Sequence, residues 1–183
     1  MMPEKPGSLE EKIIIYLAKY PERSKKTISE YLGYNKVGQV NKQVDNLKEK
    51  NMLKSFSTYK IKGRDVDLWG LDHQGMGQYL IFTDYSTKNA CDMFNVYKGY
   101  DPVAGCWVAI IKGLEDELGP DNEVVGVFLR HGATLLATGI PTEDLFYMLR
   151  GYLTSKLSKA QLKRVYDKIE IYARNWRKNS LVF

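Results

Sequence analysis

The chain has 183 residues, 44% of them hydrophobic, with 27 Lys and Arg against 22 Asp and Glu, a formal net charge of +5 at pH 7. This length accommodates one domain or two small ones, and the apolar fraction is ordinary for a globular protein with a packed core. Because no stretch approaches the ~20 consecutive apolar residues of a membrane span and the short polar start is unlike a signal peptide, we expect a cytoplasmic protein with no membrane partner.

Two helices are predicted at the start of the chain. Ser8 with Glu11 three residues later forms a capping box, which predicts a first helix over Ser8–Tyr20. Ser24 opens a shorter second helix, and Gly33 is a residue type that commonly ends one. The positions predicted to face inward on the second helix are Ile28, Tyr31 and Leu32.

A tight turn at Tyr34-Asn35-Lys36 leads to a third helix with a narrow apolar stripe and a polar opposite side. The stripe consists of Val37, Val40, Val44 and Leu47, which repeat at three- and four-residue steps. The opposite side carries Gly38, Lys42, Asp45, Asn46 and Glu49, with Gln39 and Asn41 on its flanks. We expect the helix to end at Asn51, after which Met52 and Leu53 turn inward.

A β-hairpin and a fourth helix are predicted next. The strand Lys54–Ile61 is followed by a turn at Lys62-Gly63-Arg64-Asp65 and by a returning strand that contains Val66, Leu68, Trp69 and Leu71. Asp72 then caps a helix that runs to about Phe82.

The order of three helices, two strands around a basic turn and a helix resembles the winged helix-turn-helix of MarR-, ArsR- and PadR-type regulators. The residues that carry the resemblance are Ile28-x-x-x-Leu32-Gly33, the run Val40-Asn41-Lys42-x-Val44-x-x-Leu47-Lys48-Glu49-Lys50-Asn51-Met52-Leu53, and Trp69-Gly70-Leu71-Asp72-x-x-Gly75. The last two are similar to the family patterns V-S-R-x-L-x-x-L-E-x-K-G-L-I and Y-x-L-T-x-x-G. The resemblance covers residues 8–83, and Asn51 replaces the usual glycine, a mild change because asparagine tolerates the left-handed conformation.

The resemblance implies that the third helix enters the major groove of DNA and that the hairpin, as the wing, contacts the minor groove or phosphates. The residues then expected to contact bases are Gln39, Asn41, Lys42 and Asn46. Those expected to contact the DNA backbone, from the second helix, the following turn and the wing, are Ser24, Lys25, Lys26, Thr27, Lys36, Lys60, Lys62 and Arg64. From the residues alone, a solvated helix face, a capped turn and a charged strand edge that discourages aggregation remain open alternatives.

The second half reads as five helices, so the fold class is mainly α with a small β-hairpin. The predicted helices are 88–97, 102–118, 122–137, 142–154 and 158–178, with Thr142 and Ser158 as N-caps. The apolar run Val124–Leu129 is equally compatible with a buried strand. We expect residues 84–183 to form a second domain for dimerisation or for binding a partner or effector.

Charge is unevenly distributed along the chain. Residues 1–83 carry a net charge of +4, residues 84–147 carry −6, and residues 148–183 carry +7. Basic segments attract polyanions such as nucleic acid. They can also pair with the acidic segment inside the fold or across a dimer, and both interpretations stay open here.

Signals for metal binding or catalysis are weak. Cys91 and Cys106 form no CxxC pair, and the only histidines are His73 and His131. The sequence therefore predicts no disulfide framework, metal site or cofactor, and two thiols buried in the core of a protein from a reducing compartment. His73 is expected on the surface of the fourth helix, and His131 as a core or edge group rather than a catalyst.

Three functional hypotheses follow. The first is a homodimeric transcriptional regulator that reads duplex DNA and dimerises through its C-terminal helices, with target and effector undetermined. The second is a winged-helix protein-interaction module in a transcription or replication assembly. An enzyme is the least favoured, since it would need His131 grouped with Cys106 or an aspartate in one pocket.

Overall fold

A computed structural model describes residues 7–33 and 37–180, with side chains described up to residue 175. The described part is mainly helical, with one small antiparallel hairpin. In chain order its elements are α1 Leu9–Lys19, α2 Lys25–Tyr31, α3 Val37–Glu49, β1 Leu53–Ile61, β2 Arg64–Leu71, α4 His73–Phe82, α5 Thr87–Tyr97, α6 Pro102–Leu118, α7 Glu123–Ala137, α8 Thr142–Lys156 and α9 Lys159–Ser180. None of these helices combines the length and the apolar character that crossing a bilayer requires. The predicted turn at 34–36, which includes Lys36, lies outside the described residues.

Local capping signals account for most helix starts. The hydroxyl of Ser8 accepts a hydrogen bond from the Glu11 N–H at 3.1 Å, and Ser24 and Ser158 cap α2 and α9 in the same way. The predicted cap at Thr142 is wrong, because Pro141 occupies the N-cap position and no side chain caps α8. The strand alternative for 124–129 is also excluded, because this run lies inside α7.

The first three helices and the hairpin enclose apolar side chains. The fully buried ones include Ile13, Ile14 and Leu17 of α1, Ile28 of α2, Val40, Val44 and Leu47 of α3, and Leu71 of β2. Two predicted inward positions differ. Tyr31 is 61% exposed and stacks on Tyr16 with ring centroids 4.1 Å apart, and Val37 is 46% exposed. Tyr31 is the last residue of α2 and Val37 is the first residue of α3, so both lie at helix ends.

The hairpin is tighter than the sequence indicates. Lys62 and Gly63 both have positive φ, at 49° and 77°, and Arg64 pairs with Ile61 as the first residue of β2. Two-residue turns with positive φ at both positions match the twist of antiparallel strands. The turn is therefore confined to Lys62 and Gly63, and the predicted turn residues Arg64 and Asp65 belong to the strand.

The apolar core continues across residue 84, where the sequence suggested a domain boundary. The hydroxyl of Tyr97 on α5 donates to the Leu17 carbonyl at 2.7 Å and accepts from the Leu71 N–H at 2.8 Å. A Cβ added to Gly77 of α4 would lie 2.5 Å from a backbone nitrogen of α7, so these helices cross in close contact. Two separate domains stay a prediction, and the junction between the two parts is densely packed.

Candidate nucleic-acid interface

The polar side of α3 is exposed to solvent, although its predicted base-contacting residues are not equally accessible. Gln39 and Lys42 are exposed, whereas Asn46 is half-buried. Asn41 is also half-buried, and its Oδ1 is buried without a hydrogen-bond partner among the described residues. Of the four residues predicted to contact bases, Gln39 and Lys42 are therefore the two whose side chains are open to a ligand without rearrangement.

A cleft of about 670 Å³, here called the hairpin cleft, lies between the start of α2, α3 and the hairpin. Lys25 and Lys26 line it from α2, Asn41 lines it from α3, and Tyr59 and Arg64 line it from the hairpin. These residues are far apart in sequence, so the fold brings two of the predicted backbone-contacting lysines, α3 and Arg64 of the hairpin around one opening. Three carboxylates, Asp45, Asp65 and Asp67, line the same cleft.

Two of the predicted phosphate-binding lysines already contact carboxylates. Lys25 Nζ lies 2.5 Å from Asp45 Oδ1, and Lys26 Nζ lies 3.7 Å from Glu30 Oε1. Both pairs are solvent-accessible, and such pairs contribute about 0–1 kcal/mol, so a phosphate can compete for the ammonium groups. Asp45 nevertheless places a negative charge in the middle of the exposed side of α3.

Ser24 and Thr27 serve the start of α2 itself. The Ser24 hydroxyl accepts from the Thr27 N–H at 3.1 Å and lies 2.9 Å from the Thr27 hydroxyl. Ser24 is also only 7% exposed. Their side chains stabilise the helix start. Of the two lysines beside them, Lys26 is exposed, whereas Lys25 is half-buried against Asp45.

The turn end of the hairpin, residues 59–64, is exposed and cationic, and it also carries two exposed apolar residues that the sequence pattern left unassigned. Lys60, Lys62 and Arg64 are all exposed. Tyr59 and Ile61, on one face of β1, are 41% and 45% exposed and line the hairpin cleft. Their two-residue spacing was the available signal, because alternate residues of a strand share a face.

The two basic segments of the chain differ in how they are paired. On α9, Arg164 and Lys168 lie 2.5 and 3.4 Å from the carboxylate oxygens of Glu117 on α6. On α3 and the hairpin, by contrast, five cations form no ion pair with any described residue: Lys42, Lys48, Lys60, Lys62 and Arg64, of which Lys48 and Arg64 line the hairpin cleft. Part of the C-terminal positive charge is thus paired with α6, whereas these five N-terminal cations are exposed and without ion pairs to the described residues.

A charged cluster joins the base of the hairpin to α6. His73 Nε2 lies 2.5 Å from Asp101 Oδ2, and Lys54 Nζ lies 3.5 Å from Asp72 Oδ1. The hydrogen bond to Asp101 raises the pKa of His73 against the opposing effect of burial. For Asp101, burial acts to raise the pKa, but the hydrogen bonds from His73 and from the Val103 N–H outweigh burial and hold the pKa of this carboxyl below its usual value. His73 is therefore half-buried and engaged, not the surface residue expected.

The remaining candidate groups assemble no reactive centre in the described part of the chain. No three His, Cys, Asp or Glu side chains there are placed to hold a metal ion. His131 is exposed, with its ring centroid 5.1 Å from that of Tyr152. Burial raises the pKa of the Cys91 thiol to about 11, which suppresses its thiolate form at neutral pH. Cys91 is half-buried and Cys106 exposed, so the expectation of two thiols buried in the core is wrong.

Comparison with known proteins gives no match to a family model, a curated protein or a solved structure.

Proposed function

We propose that residues 8–83 form a winged helix-turn-helix that binds duplex DNA, and that the protein is a transcriptional regulator. The observation that carries the proposal is the hairpin cleft itself, around which the fold brings together Lys25 and Lys26 of α2, Asn41 and Lys48 of α3, and Arg64 of the hairpin. A duplex laid on this side meets α3 and the hairpin at once, with α3 in the major groove and the hairpin as the wing on the minor groove or phosphates.

The side chains divide into base readers and backbone contacts. The Gln39 amide suits the adenine edge, and the Lys42 ammonium suits guanine O6 and N7. Asn41 and Asn46 need a side-chain rearrangement to reach bases, because both are half-buried. Lys25, Lys26, Lys60, Lys62 and Arg64 are assigned to phosphates or the minor groove, where they fix register more than sequence.

A second candidate function is supported by a different feature of the same surface. Val37, Tyr59 and Ile61 are each more than two-fifths exposed and line the hairpin cleft. Clustered exposed apolar residues are typical of protein-binding surfaces. The alternative is therefore a winged-helix module whose hairpin cleft accepts an apolar side chain of a partner protein. Apolar wing residues also pack into DNA minor grooves, so this feature does not exclude the first proposal.

Fluorescence anisotropy of a labelled mixed-sequence duplex, titrated with protein at several salt concentrations, tests the proposal. The wild type is expected to bind with an affinity that falls steeply with salt, because each neutralised phosphate adds about 0.9 to the slope of log K against log salt. The double variant Lys42→Ala plus Arg64→Ala should bind more weakly and lower this slope by about one to two.

Lys88→Ala plus Lys98→Ala is the matched control. Both lysines are exposed on or next to α5, away from α3 and the hairpin in the chain, and their loss changes the net charge by the same amount. If the two double variants lose affinity equally, non-specific charge and not this surface binds DNA. Absence of wild-type binding even at low salt would refute the DNA-binding proposal and favour the protein-partner alternative.

A further inference from the structure

A second, almost entirely apolar cleft lies between α6, α7, α8 and α9, and we call it the apolar cleft. Its volume is about 340 Å³. Ile110 of α6, Phe128 of α7, Leu149 and Leu153 of α8, and Ile169 of α9 contribute to its walls. Small-molecule sites of proteins have volumes of about 300–1,000 Å³ and are lined mainly by apolar and aromatic side chains, so this cleft has the corresponding size and chemistry.

Two polar groups occur in this apolar surrounding. Tyr166 lines the cleft, and its hydroxyl is buried without a hydrogen-bond partner among the described residues. Arg150 also lines it; this residue is exposed, and its guanidinium carbon lies 5.8 Å from the centroid of the Tyr166 ring. Arg150 forms no ion pair with the described residues. A buried hydroxyl without a partner is costly, and a ligand acceptor at this position removes that cost.

We propose that the apolar cleft binds a small, flat, largely apolar carboxylate. Its ring system lies between α8 and α9 on the apolar walls, and its carboxylate accepts from the Tyr166 hydroxyl and pairs with the Arg150 guanidinium. The volume suits a molecule of one or two rings better than a helix of a partner protein. The proposal concerns the C-terminal helices alone and does not depend on DNA binding.

2-Naphthoate is the probe, titrated into the full-length protein by isothermal calorimetry. We expect saturable binding of one molecule per chain. Tyr166→Phe should weaken it about fivefold, the effect of one hydrogen bond, whereas Tyr147→Phe on the exposed side of α8 should not change it. Arg150→Met should weaken binding of 2-naphthoate more than that of the neutral 2-naphthamide, because only the former carries a charge.

A second measurement, the rate of modification of Cys106, tests occupancy of the cleft in the wild-type protein. Cys106 is exposed and lines the cleft, so bound 2-naphthoate should slow its modification by a disulfide reagent. Ala173→Leu, which adds volume at the half-buried wall of α9, should abolish both binding and protection while the circular dichroism spectrum is retained.

Absence of saturable binding by either probe overturns the proposal, as does binding that Ala173→Leu leaves unchanged. Sedimentation of the same samples identifies the other possible occupant. A wild-type dimer that Ala173→Leu dissociates, without probe binding, shows that a side chain of a second copy fills the cleft and also overturns the proposal.

Discussion

Replacing Tyr97 with phenylalanine tests how strongly the two parts of the chain are joined. Leu17 lies four residues before Pro21, and proline has no N–H to donate to the Leu17 carbonyl in the last turn of α1. The Tyr97 hydroxyl takes that place at 2.7 Å and also accepts the Leu71 N–H at 2.8 Å. Tyr97 is fully buried, and burial raises its pKa, so the neutral hydroxyl serves as both donor and acceptor.

The magnitude follows from the two backbone groups that Tyr97→Phe leaves buried without partners. Each such group costs about 1–3 kcal/mol, so the free energy of unfolding should fall by about 2–6 kcal/mol. That is a large share of the ~5–15 kcal/mol that stabilises a typical domain. Packing of the ring is retained, because phenylalanine keeps the same aromatic ring.

Urea denaturation followed by circular dichroism and by tryptophan fluorescence measures this change. Trp69 lies in β2 and Trp107 in α6, so the two parts of the chain both contribute to the fluorescence signal. Tyr147→Phe, at an 80% exposed position, is the matched control and should change stability little. A loss below about 1 kcal/mol for Tyr97→Phe would refute the reasoning that the hydroxyl satisfies two otherwise unpaired groups.

Four further predictions concern charge and close packing. Asp45→Asn removes a carboxylate from the exposed side of α3 and releases Lys25 from its ion pair. Affinity for a mixed-sequence duplex in the anisotropy assay should therefore rise about threefold or more. Unchanged affinity would contradict the assignment of this surface to DNA. Because folding raises the pKa of His73 above its ordinary value of 6.5, protonated His73 stabilises the fold below pH 6.5, and this contribution is lost as pH rises through the folded-state pKa. His73→Gln should therefore reduce the fall of the urea midpoint that the wild type shows as pH rises through that folded-state pKa. Because folding lowers the pKa of Asp101 below its ordinary value of 3.8, ionised Asp101 stabilises the fold above pH 3.8, and this contribution is lost as pH falls through the folded-state pKa. Asp101→Asn should therefore reduce the fall of the urea midpoint that the wild type shows in acid. Gly77→Ala should lower the thermal midpoint by several degrees, about 1–3 kcal/mol of stability, because the added Cβ meets the α7 backbone, whereas Gly126→Ala at an open helical position should not.

Element boundaries were largely predictable because the signals that set them are local. Pro102 at the first turn of α6 and Gly119 at its end fix that helix, and the structure confirms the predicted bounds. The third-helix stripe was predicted for the same reason, since a period of 3.6 residues is visible in sequence. The errors lie at helix ends such as Tyr31 and at Thr142, where neighbouring structure and a preceding proline decide the outcome.

The contacts that shape the candidate sites were not predictable, because they join residues that are distant along the chain. His73 and Asp101 are 28 positions apart, and the Tyr97 hydroxyl reaches Leu17 across 80 positions. Nothing in the local pattern around Asn41 indicates that its Oδ1 is buried. Sequence periodicity assigns a residue to a face of its own helix, whereas the partner of that face depends on tertiary packing.

The charges on the two basic segments bear on the choice between DNA and a protein as the partner of the hairpin cleft. Had Lys42, Lys62 and Arg64 been neutralised as Arg164 is by Glu117, a surface with exposed apolar residues would favour a protein partner. They instead form no ion pair with the described residues, and the repulsion among the cations of this surface is only partly offset by Asp45, Asp65 and Asp67, which also line the hairpin cleft. A polyanion relieves that repulsion at several points at once, whereas an apolar partner side chain leaves it in place. The charge distribution therefore supports the proposed DNA ligand, against which the exposed Tyr59 and Ile61 would lie at the sugar edge of a groove.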